Sequence, residues 1–422
     1  MKRVLLLATT TGYQTRMFAA AAERLGIELV FATDRCDQLE DPWSDHAIPV
    51  RFHEEWRSVD VVLKALEQRP VDGVLAVGDR PTVMAAQLAR LLNLPGHPVE
   101  AAVAARDKRL GREKFKAAGL PVPHTFAVPM GVDPLAILPR VQFPAVLKPT
   151  VLSGSRGVIR ADDDLSFAAA FDRIRRLLSS PEVKELRDPE ADVIQIEQYI
   201  PGAEFALEGL LERGTLRTLA IFDKPDPLEG PFFEETLYVT PSQLTPGIQV
   251  QISAQVTRAA QALGLHHGPV HAECRVNSKG IYVLEVAARP IGGLCAKALR
   301  FECRGERIGL EDLLMLHAAG APTAGWRREH LAAAVMMIPI PRSGTFRRVD
   351  GVEAAGAVPF VDEIQITAKP DQQLHALPEG ASYLGFIFGR AATVRDAEGA
   401  VREAQARLHF TIEPLIPITK NK

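Results

Sequence analysis

The chain has 422 residues, 47% of them hydrophobic and 24% charged, the proportions of an ordinary globular protein with enough length for several cores. Its 49 basic and 52 acidic side chains leave a formal net charge of −3, which excludes a protein that coats nucleic-acid backbones by bulk charge and leaves only a local basic groove open. The four cysteines, at 36, 274, 295 and 303, have neither Cys-x-x-Cys nor paired metal-ligand spacing, which excludes a disulfide scaffold or zinc ribbon.

The apolar run Val4–Ala8 behind Met1-Lys2-Arg3 falls short of the roughly 7–15 residues of a secretory leader. No stretch approaches about 18 consecutive apolar residues. A cytoplasmic protein with no membrane or nucleic-acid partner is expected. Val4–Ala8 itself reads as a strand buried on both faces. Gln14–Leu25 reads as a helix closed by Gly26, and Ile27–Ala32 as the next strand. Helices at Val59–Leu66 and Thr82–Leu92 then bracket a strand at Gly73–Val77. This alternation predicts βαβ units and a parallel sheet. Gly12 stands alone where a dinucleotide fingerprint needs three glycines, so it reads as a turn glycine opening a helix.

The helical segment Asp107–Ala118 is stopped by Pro121 and Pro123. Phe143–Pro149 then reads as a strand carrying Lys148 near its end, Ser153–Val158 as a small-residue turn, and Val158–Arg160 as the start of another strand. A helix at Leu165–Leu178 precedes strands at Val193–Tyr199 and Glu204–Leu211, and Ile252–Leu263 is helical. Further strands are expected at Ala332–Ile340 and Gly385–Phe388, with a final helix at Asp396–Leu408.

Three constellations carry chemistry. In the first, strand-like runs Gly268–Val276 and Ile281–Arg289 flank Asn277-Ser278-Lys279-Gly280. A three-residue loop, Ser278–Gly280, with Gly280 left-handed, would set Asn277 against Ile281. Glu273 then faces Glu285, and His271 faces Ala287. Like charges about 4.5–5.5 Å apart across a sheet are destabilising. A divalent cation between them removes the conflict, and magnesium is the natural choice. Two solvated glutamates on an exposed hairpin face are the plain alternative. In the second, Lys148 precedes the loop Ser153-Gly154-Ser155-Arg156-Gly157, whose backbone N–H groups could cradle phosphate oxygens beside the lysine charge. It lacks the Gly-Lys-Ser/Thr of a P-loop, and as a hairpin turn it would need no ligand. In the third, a strand carrying Glu197 runs through Pro201-Gly202 to Glu204.

Asp107-Lys108, Lys148-Pro149, the small-residue loop, Glu197-Gln198-Tyr199-Ile200-Pro201-Gly202-Ala203-Glu204 and His271-x-Glu273…Glu285-x-x-x-Arg289 occur in this order, and in it the chain resembles the ATP-grasp superfamily over essentially its whole length. Gly230-Pro231-Phe232-Phe233-Glu234-Glu235, the Ala-Ala-Arg after Glu285, and Ser343–Phe346 near Val349-Asp350-Gly351 are most similar to the L-amino acid ligases, which condense unprotected amino acids. The resemblance implies an α/β chain, α+β in its later domains. A Rossmann-like parallel-sheet domain at 1–100 would lead through a helical linker at 101–122 to a lid subdomain at 123–208. A central antiparallel catalytic sheet at 209–325 and a C-terminal subdomain at 326–422 would follow.

The resemblance also implies roles. Lys108 and Lys148 would contact ATP phosphates under a lid formed by Ser153, Gly154, Ser155 and Gly157. Glu197 and the backbone at Ile200 would read adenine, Glu204 would take the ribose, and His271 would lie near the phosphates. Glu273 and Glu285 would bind Mg²⁺, as two ions, or Mn²⁺, with Ala287 where many relatives carry a metal-ligating asparagine. Arg289 would stabilise the transferred phosphoryl group. Apart from the resemblance, Gly292 and Gly293 follow Arg289 closely, and their missing side chains could leave room for the first amino acid and a backbone N–H for an oxyanion, while Glu234 or Glu235 could hold a substrate ammonium or simply line a solvated loop. The implied reaction forms an acyl phosphate from ATP and a carboxylate, releases ADP, and lets an amine displace phosphate. The substrates would be amino acids, and a homodimer is possible. The rival readings are a ligase for a different carboxylate and a catalytically silent nucleotide-binding protein.

Overall fold

Val4 to Ala8 are all 0% exposed, because a parallel strand flanked on both sides and covered on both faces has no surface left for water. The structure, a computed structural model, describes residues 1–9, 14–34 and 47–414; the Gly12 turn and Cys36 lie outside them. Arg3–Ala8 pairs in parallel with Glu28–Thr33 on one side and Gly73–Val77 on the other, and Ile48–Pro49 extends the sheet beyond Glu28–Thr33. The helix Thr15–Leu25 ends where Gly26 turns left-handed at φ +62°.

The expected linker is two helices, Val99–Arg106 and Lys108–Ala117, broken at Asp107, whose side chain accepts the Leu110 N–H and caps the second. The lid is a four-stranded sheet in the order Thr125–Pro129, Val193–Gln198, Ala145–Pro149, Ile159–Ala161, packed on the helix Asp164–Leu178. The largest sheet has eight antiparallel strands. Their order is Gly280–Ala287, Gly268–Asn277, Ala203–Glu212, Thr215–Lys224, Leu237–Thr240, Ala332–Ile338, Gly385–Ala391, Val361–Ile366. Two boundaries shift accordingly. The strand Ala203–Glu212 runs through the expected division at 208/209, and the C-terminal segment completes the central sheet with three of its strands.

One apolar cluster joins the front domain to this sheet, running from Val4, Leu6 and Phe18 to Phe222, Met337 and Phe386. Gln14 donates from its side chain to the Ile291 carbonyl at 2.5 Å. The segment after Arg289 is thereby tied to the first domain. Among the described residues no helix is long and apolar enough to cross a membrane, and Cys274, Cys295 and Cys303 are free.

Candidate active site

Alternation along neighbouring strands builds the floor of the site. Glu204, Ala206 and Glu208 pair with Arg275, Glu273 and His271, and Glu273 and His271 pair in turn with Glu285 and Ala287 on the outer strand. Side chains alternate across a sheet, so these project to one side, joined by Lys224 opposite Glu204. The other side offers Phe205, Leu207, Val270, Ala272, Cys274 and Val286 to the helix Pro246–Leu263 in one apolar cluster. One strand pattern thus sorts apolar groups into the core and ionisable groups onto the site.

Glu273 does face Glu285, but by a different route from the one expected. The loop has two residues, Ser278 and Lys279, so Asn277 faces Gly280 rather than Ile281. Pairing runs one residue out of the expected register as far as Cys274 and Val283. A β-bulge then takes up Leu284 and restores it.

Three carboxylates, those of Glu204, Glu235 and Glu273, bring oxygens within 4.8 Å of one another. The buried Lys224 ammonium lies among them, 2.8 Å from Glu204, 3.0 Å from Glu273 and in contact with Glu235. Burial works against this cation, yet the three acids hold it well above its ordinary value. Burial lifts Glu235 to about 7 against the pull of Lys224. Glu273, although buried, is held well below the carboxylate range by Lys224 and His271. Glu204 also accepts from Arg275 at 2.9 Å, and Arg275 donates to the Ile200 carbonyl at 2.7 Å. Glu204 therefore stands in the floor with the other acids, and the Ile200 carbonyl is engaged by Arg275. Glu285 remains outside the trio, half-buried at the edge strand.

His271 sets Nδ1 3.1 Å from Glu208 and Nε2 3.7 Å from Glu273. Burial opposes its cation, but the Glu208 hydrogen bond and the neighbouring Glu273 carboxylate hold the imidazole up at about 9. Glu208, 0% exposed, also accepts the Ile291 N–H.

On the lid side, Lys148 Nζ lies 2.6 Å from Glu197. Glu197 also accepts from Arg112 at 2.7 and 3.1 Å and from Gln195 at 2.7 Å. Burial opposes the charge, but Arg112 and Lys148 hold Glu197 down at about 2. Arg112 reaches on to the Val283 carbonyl at 2.8 Å and so binds the linker helix to both lid and hairpin. Lys108 donates to the Leu152 carbonyl at 2.8 Å, just before the loop. Within that loop Gly154, Ser155 and Gly157 are all left-handed, at φ +64°, +57° and +73°. A Cβ on Gly157 would come within 2.7 Å of the Pro149 ring, so glycine is required there.

Arg289 was expected to face a phosphoryl group. It is held by Asp79 of the front domain, Nε at 2.8 Å and Nη2 at 3.1 Å. Burial disfavours its charge, and the Asp79 carboxylate raises its pKa further above the usual guanidinium value. Gly292 has open space where a Cβ would be, whereas Gly293, at φ +61°, has the Phe386 ring 3.4 Å from that position. Only Gly292 borders free room. Glu234 is half-buried, and burial pushes its carboxyl upward.

Asp79, Arg112, Glu208, Lys224 and Arg275 were not found from the sequence. Two carried a usable signal. Glu208 continues the alternation Glu204-x-Ala206-x-Glu208, and Arg112 lies four residues beyond Lys108, on the same helix face. Asp79 follows the C-terminal end of a parallel strand, where such sheets present ligands, but its partner is 210 residues away.

Comparison with known proteins finds related domains along the chain. Residues 18–96 match the ATP-grasp N-terminal domain, 141–298 the ATP-grasp domain, and 336–413 the L-amino acid ligase C-terminal domain 2. The structure is similar to that of an L-amino acid ligase from Bacillus licheniformis, at 27% identity and TM-score 0.82, covering 98% of this chain and 99% of that one. Alanine–anticapsin ligase of Bacillus subtilis is 28% identical over 300 residues, 66% of this chain, and the match spans 62% of that ligase's length. An uncharacterised protein of Sinorhizobium fredii is 24% identical over 98% of this chain and 84% of its own.

Proposed function

We propose, from the premise that this chain belongs to the ATP-grasp superfamily and is a ligase related to the L-amino acid ligases, that it joins two L-amino acids through an acyl phosphate, releasing ADP and phosphate. The observation that carries this reading is the likeness along the whole chain to an L-amino acid ligase, C-terminal domain included.

The side chains divide the work by charge. Lys108, Lys148 and the Ser153–Ser155 amides would take the phosphates, the lysines as point charges and the amides as fixed donors. Glu273 and Glu285, paired across the hairpin, are hard oxygen donors that fit Mg²⁺, with Glu235 close by. Mg²⁺ when bound supplies positive charge against the phosphoryl oxygens. With Ala287 in place of an asparagine, a second ion would lean on Glu285 and water. Arg289, aimed by Asp79, would steady the acyl phosphate. The free space at Gly292 would admit the first amino acid, and Glu234 would meet its ammonium. The lid would exclude the water that otherwise hydrolyses the intermediate. A cytoplasmic location and a homodimer go with this reading.

The test is ATP turnover across a panel of paired amino acids, with products identified by mass. ADP and phosphate produced only with two amino acids, together with a dipeptide mass, is the expected result. AMP and pyrophosphate would refute the acyl-phosphate route. ADP formed with a carboxylate that is not an amino acid would move the chain to the rival ligase.

A further inference from the structure

The loop Ser153–Gly157 has the composition of a free lid, yet one end of it is fastened to the C-terminal subdomain. The Gly157 N–H donates to the Pro378 carbonyl at 2.8 Å. Arg156 Nε donates to the Glu379 carbonyl at 2.7 Å. The Glu379 carboxylate takes both arms of Arg173, from the lid helix, at 2.6 and 2.9 Å. Ala381 is the nearest neighbour of the Gly154 Cβ position, at 3.6 Å. Every one of these partners belongs to the turn at 377–381, more than two hundred residues further along the chain.

We propose that this turn is a clasp that sets the phosphate loop, with Glu379 as a positioning residue for nucleotide binding. Three observations support it. The two backbone carbonyls of the turn are spent on the loop itself, so the contact fixes the loop's path and not merely its side chains. A forked arginine–carboxylate pair is geometrically demanding, and here it locks the helix behind the loop to the same residue that locks the loop. The Gly157 amide, moreover, is engaged by Pro378 and is not available to a phosphate. The Arg156 N–H is likewise taken up by the Ser153 carbonyl, so the loop's anion-facing amides are confined to Ser153–Ser155, with Gly157 as the fixed end about which they close.

The turn also leads toward the acyl side. Tyr383 follows it, partly buried against Phe386 with ring centroids 5.8 Å apart, and Phe386 is the ring that walls Gly293. The C-terminal subdomain therefore touches the expected phosphate loop and the expected amino acid pocket through one short segment. A change in one has a direct physical path to the other.

Glu379 is only partly buried, so its removal should leave the fold intact. The first readout is trypsin cleavage after Arg156, which needs no activity. Cleavage of a folded chain follows the population of the opened segment. Losing the forked pair should raise the cleavage rate by roughly 10-fold in Glu379→Ala and in Arg173→Ala, on the scale of one charge-assisted contact. Glu379→Asp should fall between. Glu182→Gln, which breaks only the Arg156–Glu182 pair inside the lid, should change it far less. Unaltered cleavage in both Glu379→Ala and Arg173→Ala would overturn the clasp.

The second readout rests on the ligase reading. Glu379→Ala should raise KM for ATP about 10-fold with kcat within about 2-fold, the pattern of lost nucleotide positioning. A fall in kcat at unchanged KM would refute the positioning role. If the proteolysis result holds while no pair of amino acids is joined, the clasp stands and the ligase reading fails.

Discussion

Two buried ionic knots flank the site, and they are built with opposite balance. Around Glu197 two cations, Arg112 and Lys148, close on one carboxylate. Around Lys224 three carboxylates, Glu204, Glu235 and Glu273, close on one ammonium. A buried charge without a full complement is costly, so such an imbalance makes sense where a partner arrives from outside. The first knot is short of negative charge, as a polyphosphate site should be. In the second, Arg275 on Glu204 and His271 beside Glu273 join Lys224 against the three acids, and Glu285 at its open edge adds a further carboxylate, as a cation site should. The whole-chain charge of −3 averages over both and describes neither.

The sharpest way to break this comparison is at the acidic knot's open edge. Glu285→Gln keeps the shape of the hairpin and removes one charge facing Glu273. Turnover should fall by about 10³-fold, the scale of removing a preorganised electrostatic group, with unchanged circular dichroism. Near-normal turnover would remove the metal assignment from this pair. Lys224→Met acts on the knot's centre instead. Three carboxylates would be left facing one another, and breaking a buried ion pair on one side costs about 3–5 kcal/mol. Urea unfolding measures this, and a cost below about 1 kcal/mol would mean that the acids are already relieved by protonation.

A third change tests whether the two knots meet at Arg289. Asp79→Asn retains the size of the side chain but gives up the ionic hold on the guanidinium. If Asp79 aims Arg289, kcat should drop about 10–100-fold while KM for ATP moves little, since small misplacements of a reacting group carry penalties of that order. A rise in KM for ATP at unchanged kcat would place Arg289 on ground-state nucleotide binding.

Legibility in the sequence followed the range of the interaction. Three strands of the parallel front sheet, three of the four lid strands and the pairing of Glu273 with Glu285 are set by local patterning and could be read from it, whereas the edge strands Ile48–Pro49 and Thr125–Pro129 were not. Even there the hairpin loop was read one residue too long, and the Leu284 bulge hid the error by restoring register. A bulge has no side-chain signature of its own, and the extra residue, Leu284, is an ordinary strand residue. What the sequence did not disclose is pairing at a distance: Asp79 with Arg289, Arg112 with Glu197, and Glu379 with Arg156 and Arg173. Asp79, Arg112, Arg173 and Glu379 are each an ordinary surface type on their own element. Each becomes informative only once the fold has chosen its partner.

The smallest expected effect concerns the basic knot and pH. Glu197 sits at about 2 in the folded chain, against 4.5 as its ordinary value, with Arg112 and Lys148 overcoming its burial. A depressed folded pKa means that the unfolded chain binds more protons between those two values. The contribution of Glu197 to stability is therefore complete above about pH 4.5 and is lost as pH falls toward 2. Other carboxylates titrate in the same range, so the informative quantity is the difference between the wild type and Glu197→Gln. That difference should be largest near neutral pH and shrink steadily below pH 4.5. Urea midpoints measured at a few acidic pH values would show it. A difference that stays constant through that window would mean that Glu197 stabilises the chain through hydrogen bonds a neutral amide can also make, and the contrast in charge between the two knots would then lie in Lys148 and Arg112 alone.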